Sequence, residues 1–131
     1  MTKAEIDEIA KTWVAYWLAP KGSVERGELS WATDYDYDLL YESPEDLWRL
    51  IRVILSLDQS AQIQQVLSAG PLEDLLAKHG LDFIDRVENE AKADPKFAKL
   101  LGGVWKSSMT EDIWRRVQAV WDRRGWDGIP E

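Results

Sequence analysis

Apolar residues recur every three or four positions along most of the chain, and the runs break at proline and glycine. Thr2 and Glu5 stand as a T-x-x-E capping box, after which Ile6, Ile9, Trp13, Val14 and Trp17 fall on one helical face. Pro20 and Gly22 stop that helix, and the polar stretch 20–29 reads as a turn-like loop. Ser30 can cap a short helix in which Trp31, Tyr35 and Leu39 share a face. The alternation Tyr35-Asp36-Tyr37-Asp38 also fits an extended segment, so one short hairpin around 20–41 is the most strand structure expected.

Further along, the helix starts are led by proline. Ser43-Pro44-Glu45-Asp46 gives a cap, a proline at the first helical position and acids in the first turn. The helix that follows buries Leu47, Trp48, Leu50, Ile51, Ile54 and Leu55 and reaches Leu57, and a second occupies 59–69 with Ile63, Val66 and Leu67 inward. Gly70-Pro71-Leu72-Glu73 repeats the device and Gly80 ends it. Asp82 opens a helix with Phe83, Ile84, Val87 and Ala91 inward, and Asp94-Pro95 opens one carrying Phe97, Leu100 and Leu101 that Gly102-Gly103 terminates. The last, from Thr110-Glu111-Asp112, turns Ile113, Trp114, Val117, Val120 and Trp121 inward before Gly125 and Gly128. The prediction is an all-α fold: a single domain over 1–131 with about six to seven helices, as a compact bundle or a short HEAT-like stack. The proline-led starts are 27 and 24 residues apart, shorter than the roughly 40 residues usual for HEAT repeats.

Composition adds an aromatic excess to this picture. Eight tryptophans bury roughly 150–250 Å² each, and because the indole N–H needs a partner some belong at the core boundary or on a tryptophan-lined binding surface. The formal charge is −8, with twelve acids against six bases in the first 66 residues. That balance does not suit phosphate contacts with nucleic acid or an anionic membrane surface, but it suits a basic protein partner. The absence of cysteine excludes disulfides and thiolate chemistry. No segment approaches the roughly 20 apolar residues of a membrane span, so a cytoplasmic protein is expected. No cofactor or metal site is predicted.

Two constellations carry candidate chemistry. Between Glu28 and Asp46 lie seven acids and no base, interleaved with Trp31, Tyr35, Tyr37 and Tyr41. Within it, Asp34, Tyr35, Asp36, Tyr37, Asp38 and Glu42 form the predicted partner-binding patch, whose spacing lacks the glycine and terminal glutamate of an EF-hand loop. The second is Glu73, Asp74 and His79, a general acid–base set whose members also explain themselves as helix-end residues. No nucleophile elbow, P-loop, dinucleotide fingerprint or H-E-x-x-H motif is present.

Gly70-Pro71-Leu72-Glu73-Asp74-Leu75-Leu76, His79-Gly80, Asp94-Pro95-x-Phe97 and Gly103-Val104-Trp105 together resemble a family of small bacterial proteins known only as a domain of unknown function. The resemblance implies a helical bacterial domain, places Glu73, Asp74 and His79 at its polar motif positions, and supplies no activity. The leading expectation is a protein-interaction module, most concretely an immunity or inhibitor protein that occludes a toxin. The alternatives are a small-ligand binder or hydrolytic enzyme built on Glu73, Asp74 and His79, and a homo-oligomeric scaffold whose tryptophans form a dimer face.

Overall fold

The computed structural model describes residues 1–126, and the all-α prediction holds: the described residues form helices and turns without a strand. They fall into two compact units, Met1–Gln64 and a second from Gln65 onward.

The first unit is built from α1 (Lys3–Leu18), α2 (Val24–Leu29), a 3₁₀ turn (Ser30–Ala32), α3 (Asp34–Glu42), α4 (Pro44–Leu57) and the start of α5 (Ala61–Leu67). The capping box opens α1 as the sequence predicts: Thr2 Oγ1 accepts the Glu5 N–H at 3.1 Å, and Glu5 Oε1 accepts the Thr2 N–H at 2.9 Å. Ile6, Ile9, Ala10 and Trp13 of α1 are buried, as are Leu47, Trp48, Leu50, Ile51, Ile54 and Leu55 of α4, against which α1 packs. At roughly 1.5–3 kcal/mol for each large side chain, that apolar seam dominates the stability of this unit.

Of the two alternatives for the stretch after Ser30 the helical one holds, as the 3₁₀ turn and α3, and residues 20–23 keep their turn, but 24–29, expected as loop, form α2. Ser23 caps α2 by accepting the Arg26 N–H. Arg26 then donates to the carbonyls of Tyr16 and Trp17 at 3.0 and 3.4 Å, and its guanidinium lies about 5 Å over both rings. A cation on the last carbonyls of α1 satisfies acceptors that the helix leaves open and opposes its dipole. This tertiary clamp, which no local pattern announces, is what orders α2.

The second unit contains a π-helical turn (Ser68–Leu72), α6 (Glu73–Ala93), α7 (Pro95–Leu101) and α8 (Glu111–Val120). Pro44 and Pro95 start helices as predicted, but Pro71 does not: it sits inside the π turn, which runs directly into α6. Proline has no N–H to donate, and the widened turn accommodates that loss without ending the helix. Gly80 does not end a helix either. The axis bends at His79 (φ −128°, ψ 30°) and continues, while buried Gly80 lets Ile113 of α8 come within 3.0 Å of where a Cβ would stand. Val66, Trp114, Val120 and Trp121 are half-buried rather than buried.

After α8 the chain leaves the helix earlier than predicted, at Trp121, and straps across the end of α7. Asp122 N–H donates to Ala98 O at 2.9 Å, Trp126 Nε1 to Lys99 O at 2.7 Å and Arg123 Nη1 to Gly102 O at 2.7 Å. These bonds tie the strap to carbonyls of the last turn of α7 and of Gly102 just beyond it, two of which the Gly102 N–H also reaches. Gly128, expected as a second helix stop, lies outside the described residues.

Candidate functional site

Helix α3 carries the acid–tyrosine segment, and its 3.6-residue period sorts the segment into two faces. Leu39 and Leu40 are buried, and Asp36 turns inward, where both of its carboxylate oxygens accept the Nε1–H of fully buried Trp13 at 3.0 Å. Tyr35 is half-buried and meets Trp31 edge-on at 6.3 Å between ring centroids. The outer face holds Asp34, Tyr37, Asp38, Tyr41 and Glu42, all exposed. Tyr37 and Tyr41, 67% and 51% exposed, lean on each other with ring centroids 4.7 Å apart. Tyr41 holds the Tyr37 phenol above its ordinary pKa through its charge and a hydrogen bond, and Asp38 adds to the effect.

Of the seven acids between Glu28 and Asp46, two serve the fold. Asp36 anchors Trp13. Asp46 accepts from Ser43 Oγ, Arg49 and the Met1 amine. Burial alone would raise the Asp46 carboxyl, but these donors hold it below the usual carboxylate range. The other five are exposed. The six predicted partner-binding residues therefore divide: Asp34, Tyr37, Asp38 and Glu42 share the outer face, while Asp36 and Tyr35 are drawn inward.

The acid–base set is dispersed. Glu73, in the first turn of α6, accepts the backbone N–H of Trp105 at 2.8 Å and so fixes the chain that follows α7. Burial pushes the Glu73 carboxyl up against the opposing pull of that hydrogen bond, and desolvation raises Asp74 as well. His79 lies at the bend of α6 and lines a shallow groove of about 270 Å³ with Asp82, Thr110 and Ile113; neither Glu73 nor Asp74 lines it. Among the described residues, no group of three His, Asp or Glu is arranged to hold a metal. No helix there is long and apolar enough to cross a membrane.

Two features were not singled out from sequence. One is a groove of about 630 Å³ along α1 and α4, rimmed by Lys3, Lys11, Arg49 and Arg52 and floored by Ile6, Val53 and Leu57. The spacing 3, 7, 11 on α1 and 49, 52, 56 on α4 was a readable signal, but only packing of the two helices joins the rows. The other is a pocket of about 270 Å³ lined by Trp105, Lys106, Trp114, Gln118, Trp121 and Arg123, with neighbouring Val104 and Ser107. Trp114 and Trp121 meet edge-on at 5.2 Å, and the Arg123 guanidinium lies 5.0 Å over Trp121. Their seven-residue spacing hinted at one face, whereas Trp105 comes from a separate loop.

Residues 19–125 match DUF6869, a family of unknown function. The chain belongs to this family. The DUF6869 match starts just beyond α1 and takes in the outer face of α3, Glu73, Asp74, His79 and the tryptophan pocket, but only the α4 side of the basic groove. No curated protein and no solved structure matches the chain.

Proposed function

We propose that this protein is a protein-interaction module that presents the outer face of α3 to a basic partner surface, and that it acts in a bacterial cell as an immunity or inhibitor protein occluding a toxin or enzyme. The observation that carries this reading is the pair Tyr37 and Tyr41, exposed and in contact with each other through tilted rings amid Asp34, Asp38 and Glu42. Tyrosines offer large anchors that lose little entropy on burial, and the surrounding carboxylates steer a cationic partner and fix its register. Against a nuclease, such a face would stand where substrate phosphates normally lie.

The test uses the product of the gene immediately upstream, the arrangement expected for a toxin and its immunity protein. Replacing Asp34, Asp38 and Glu42 together by Asn, Asn and Gln is expected to slow association about tenfold at low salt and to flatten its salt dependence. Tyr37→Ala with Tyr41→Ala is expected to raise the dissociation rate about tenfold or more, as loss of an interface anchor does. Asp36 is left untouched, because it holds Trp13. Wild-type kinetics in both variants, with melting temperatures unchanged, would exclude this face as the interface.

A further inference from the structure

We propose that the groove along α1 and α4 receives the outer face of α3 from a second copy of this chain, so that copies associate head to tail. Both surfaces belong to the first unit and lie on different helices. The self-contact does not rest on the toxin-occluding role, although the two uses of α3 exclude each other.

The groove is lined as a seat for an acid-flanked helix. Its floor is apolar, and Leu57 at one end is exposed. Its rims carry Lys3 and Lys11 from α1 and Arg49 and Arg52 from α4, with one carboxylate, Asp7, among them. Three of these cations already have contacts. Lys3 pairs with Asp7 at 2.8 Å, Arg49 pairs with Asp46 at 2.8 Å and donates to Met1 O, and Arg52 lies over the Trp48 ring and has a further interaction. Lys11 has no ionic partner among the described residues. The Lys3–Asp7 bridge is an i,i+4 pair with Lys3 almost fully exposed. Such pairs contribute about 0.3–0.5 kcal/mol, so exchanging Asp7 for an incoming carboxylate costs little. Against Asp7 and Asp46 together the four cations remain in surplus, in a chain whose formal charge is −8.

The outer face of α3 matches this lining in charge, spacing and shape. Asp34, Asp38 and Glu42 recur every four residues, a row about 12 Å long at roughly 1.5 Å per residue. Lys3 and Lys11 are separated by the same number of residues on α1. Beside the acid row Tyr37 and Tyr41 make a second, exposed row, an aromatic ridge that can cover the apolar floor. The groove volume of about 630 Å³ equals roughly twenty waters at about 30 Å³ each, which leaves room for two phenol rings. A helix laid in a groove with anchors at i and i+4 is a recurrent mode of recognition. Because groove and ridge are different patches, the contact is heterologous. Each dimer keeps one free groove and one free ridge, and growth continues unless a ring closes.

The test is analytical ultracentrifugation of the full chain over a concentration series. At low salt the mean mass is expected to rise with concentration, and at high salt to return toward the monomer. Lys3→Glu with Lys11→Glu disables the groove, and Asp34→Asn, Asp38→Asn and Glu42→Gln together disable the ridge. Each variant alone is expected to self-associate about tenfold more weakly, the loss of two or three exposed ion pairs. Mixed in equal amounts, the two are expected to form a dimer and nothing larger, because one intact groove and one intact ridge remain in each pair. Asp7→Asn removes the like charge that faces the incoming acids and releases Lys3. It is expected to tighten association about threefold, a gain that misfolding does not produce. The groove variant keeps α3 intact, so its capture of a basic partner is expected to match wild type, which separates failure of the self-contact from failure of the toxin-occluding role. A mean mass that stays monomeric at every concentration would overturn the proposal. So would mixed variants that do not pair, or an Asp7→Asn chain that associates no better than wild type.

Discussion

Asp36 sits among residues whose composition suggests a uniform acidic surface, yet its carboxylate is spent on the buried indole of Trp13. Both groups lose water on folding, so each depends on the other. Trp13→Phe keeps most of the buried ring area but removes the donor, and is expected to cost about 1–2 kcal/mol. Asp36→Asn retains an oxygen acceptor and should cost less than about 1 kcal/mol, while Asp34→Asn and Asp38→Asn on the exposed face should stay within about 0.5 kcal/mol. Urea unfolding of the four variants measures these differences. If Trp13→Phe costs no more than Asp34→Asn, the hydrogen bond does not stabilise the fold.

Within elements, glycine has three different functions that a stop-signal reading merges into one. A Cβ at Gly70 in the π turn would meet nothing within 4 Å, at Gly80 it would lie 3.0 Å from the Ile113 side chain, and at Gly102 it would lie 2.1 Å from the Asp122 carbonyl oxygen. Gly102 has an ordinary right-handed backbone (φ −60°), so it is needed there for room, not for conformational freedom. Gly70→Ala is therefore expected to gain about 0.5 kcal/mol by restricting the unfolded chain. Gly80→Ala should lose about 1 kcal/mol, since a side chain can yield. Gly102→Ala should lose more than about 3 kcal/mol, because the strap after α8 must move away from α7. Thermal unfolding ranks the three, and any other order would show that the contacts at Gly80 and Gly102 do not limit stability. Between α6 and α8 the main polar link is Arg116, which grips Glu88 through two nitrogens at 2.5 and 2.9 Å and also reaches Asp85 at 2.5 Å.

The carboxylates whose titration the fold shifts fall into two groups with opposite pH behaviour. Hydrogen bonds and charge from Arg116 and Arg124 hold Glu88 low and bring Asp122 down to about 2, and Asp46 is also depressed. A depressed group adds stability that is complete above its unfolded pKa and is lost as pH falls toward its folded value, between the ordinary carboxylate range and about 2 for Asp122. Glu73 and Asp74, raised mainly by burial, act the other way: the folded state binds their protons more tightly, so protonating them on descent from neutrality favours folding. The melting temperature is therefore expected to hold or rise slightly as pH drops from 7 toward the carboxylate range, then fall below about 4. In Asp74→Asn, the early rise should shrink. A melting temperature that falls steadily from pH 7, identical in wild type and Asp74→Asn, would contradict this division.

The sequence by itself determined the helical class and most of the core. Capping residues, proline at a helix start and a 3.6-residue apolar period act within a few residues of themselves, which is why α1, α4 and α7 begin where the pattern puts them. It also located the acid–tyrosine segment. Only the tertiary structure decided which of those acids face solvent, because that depends on Trp13, 23 residues away. The helix α2, ordered by Arg26 on the end of α1, the continuation of α6 past Gly80, and the strap that closes α7 were settled in the same way. So was the gathering of Trp105 with Trp114 and Trp121 into one pocket. In each case a group finds its partner across a distance that no local period encodes, and the free energy of burying or pairing it is gained only once the elements have packed.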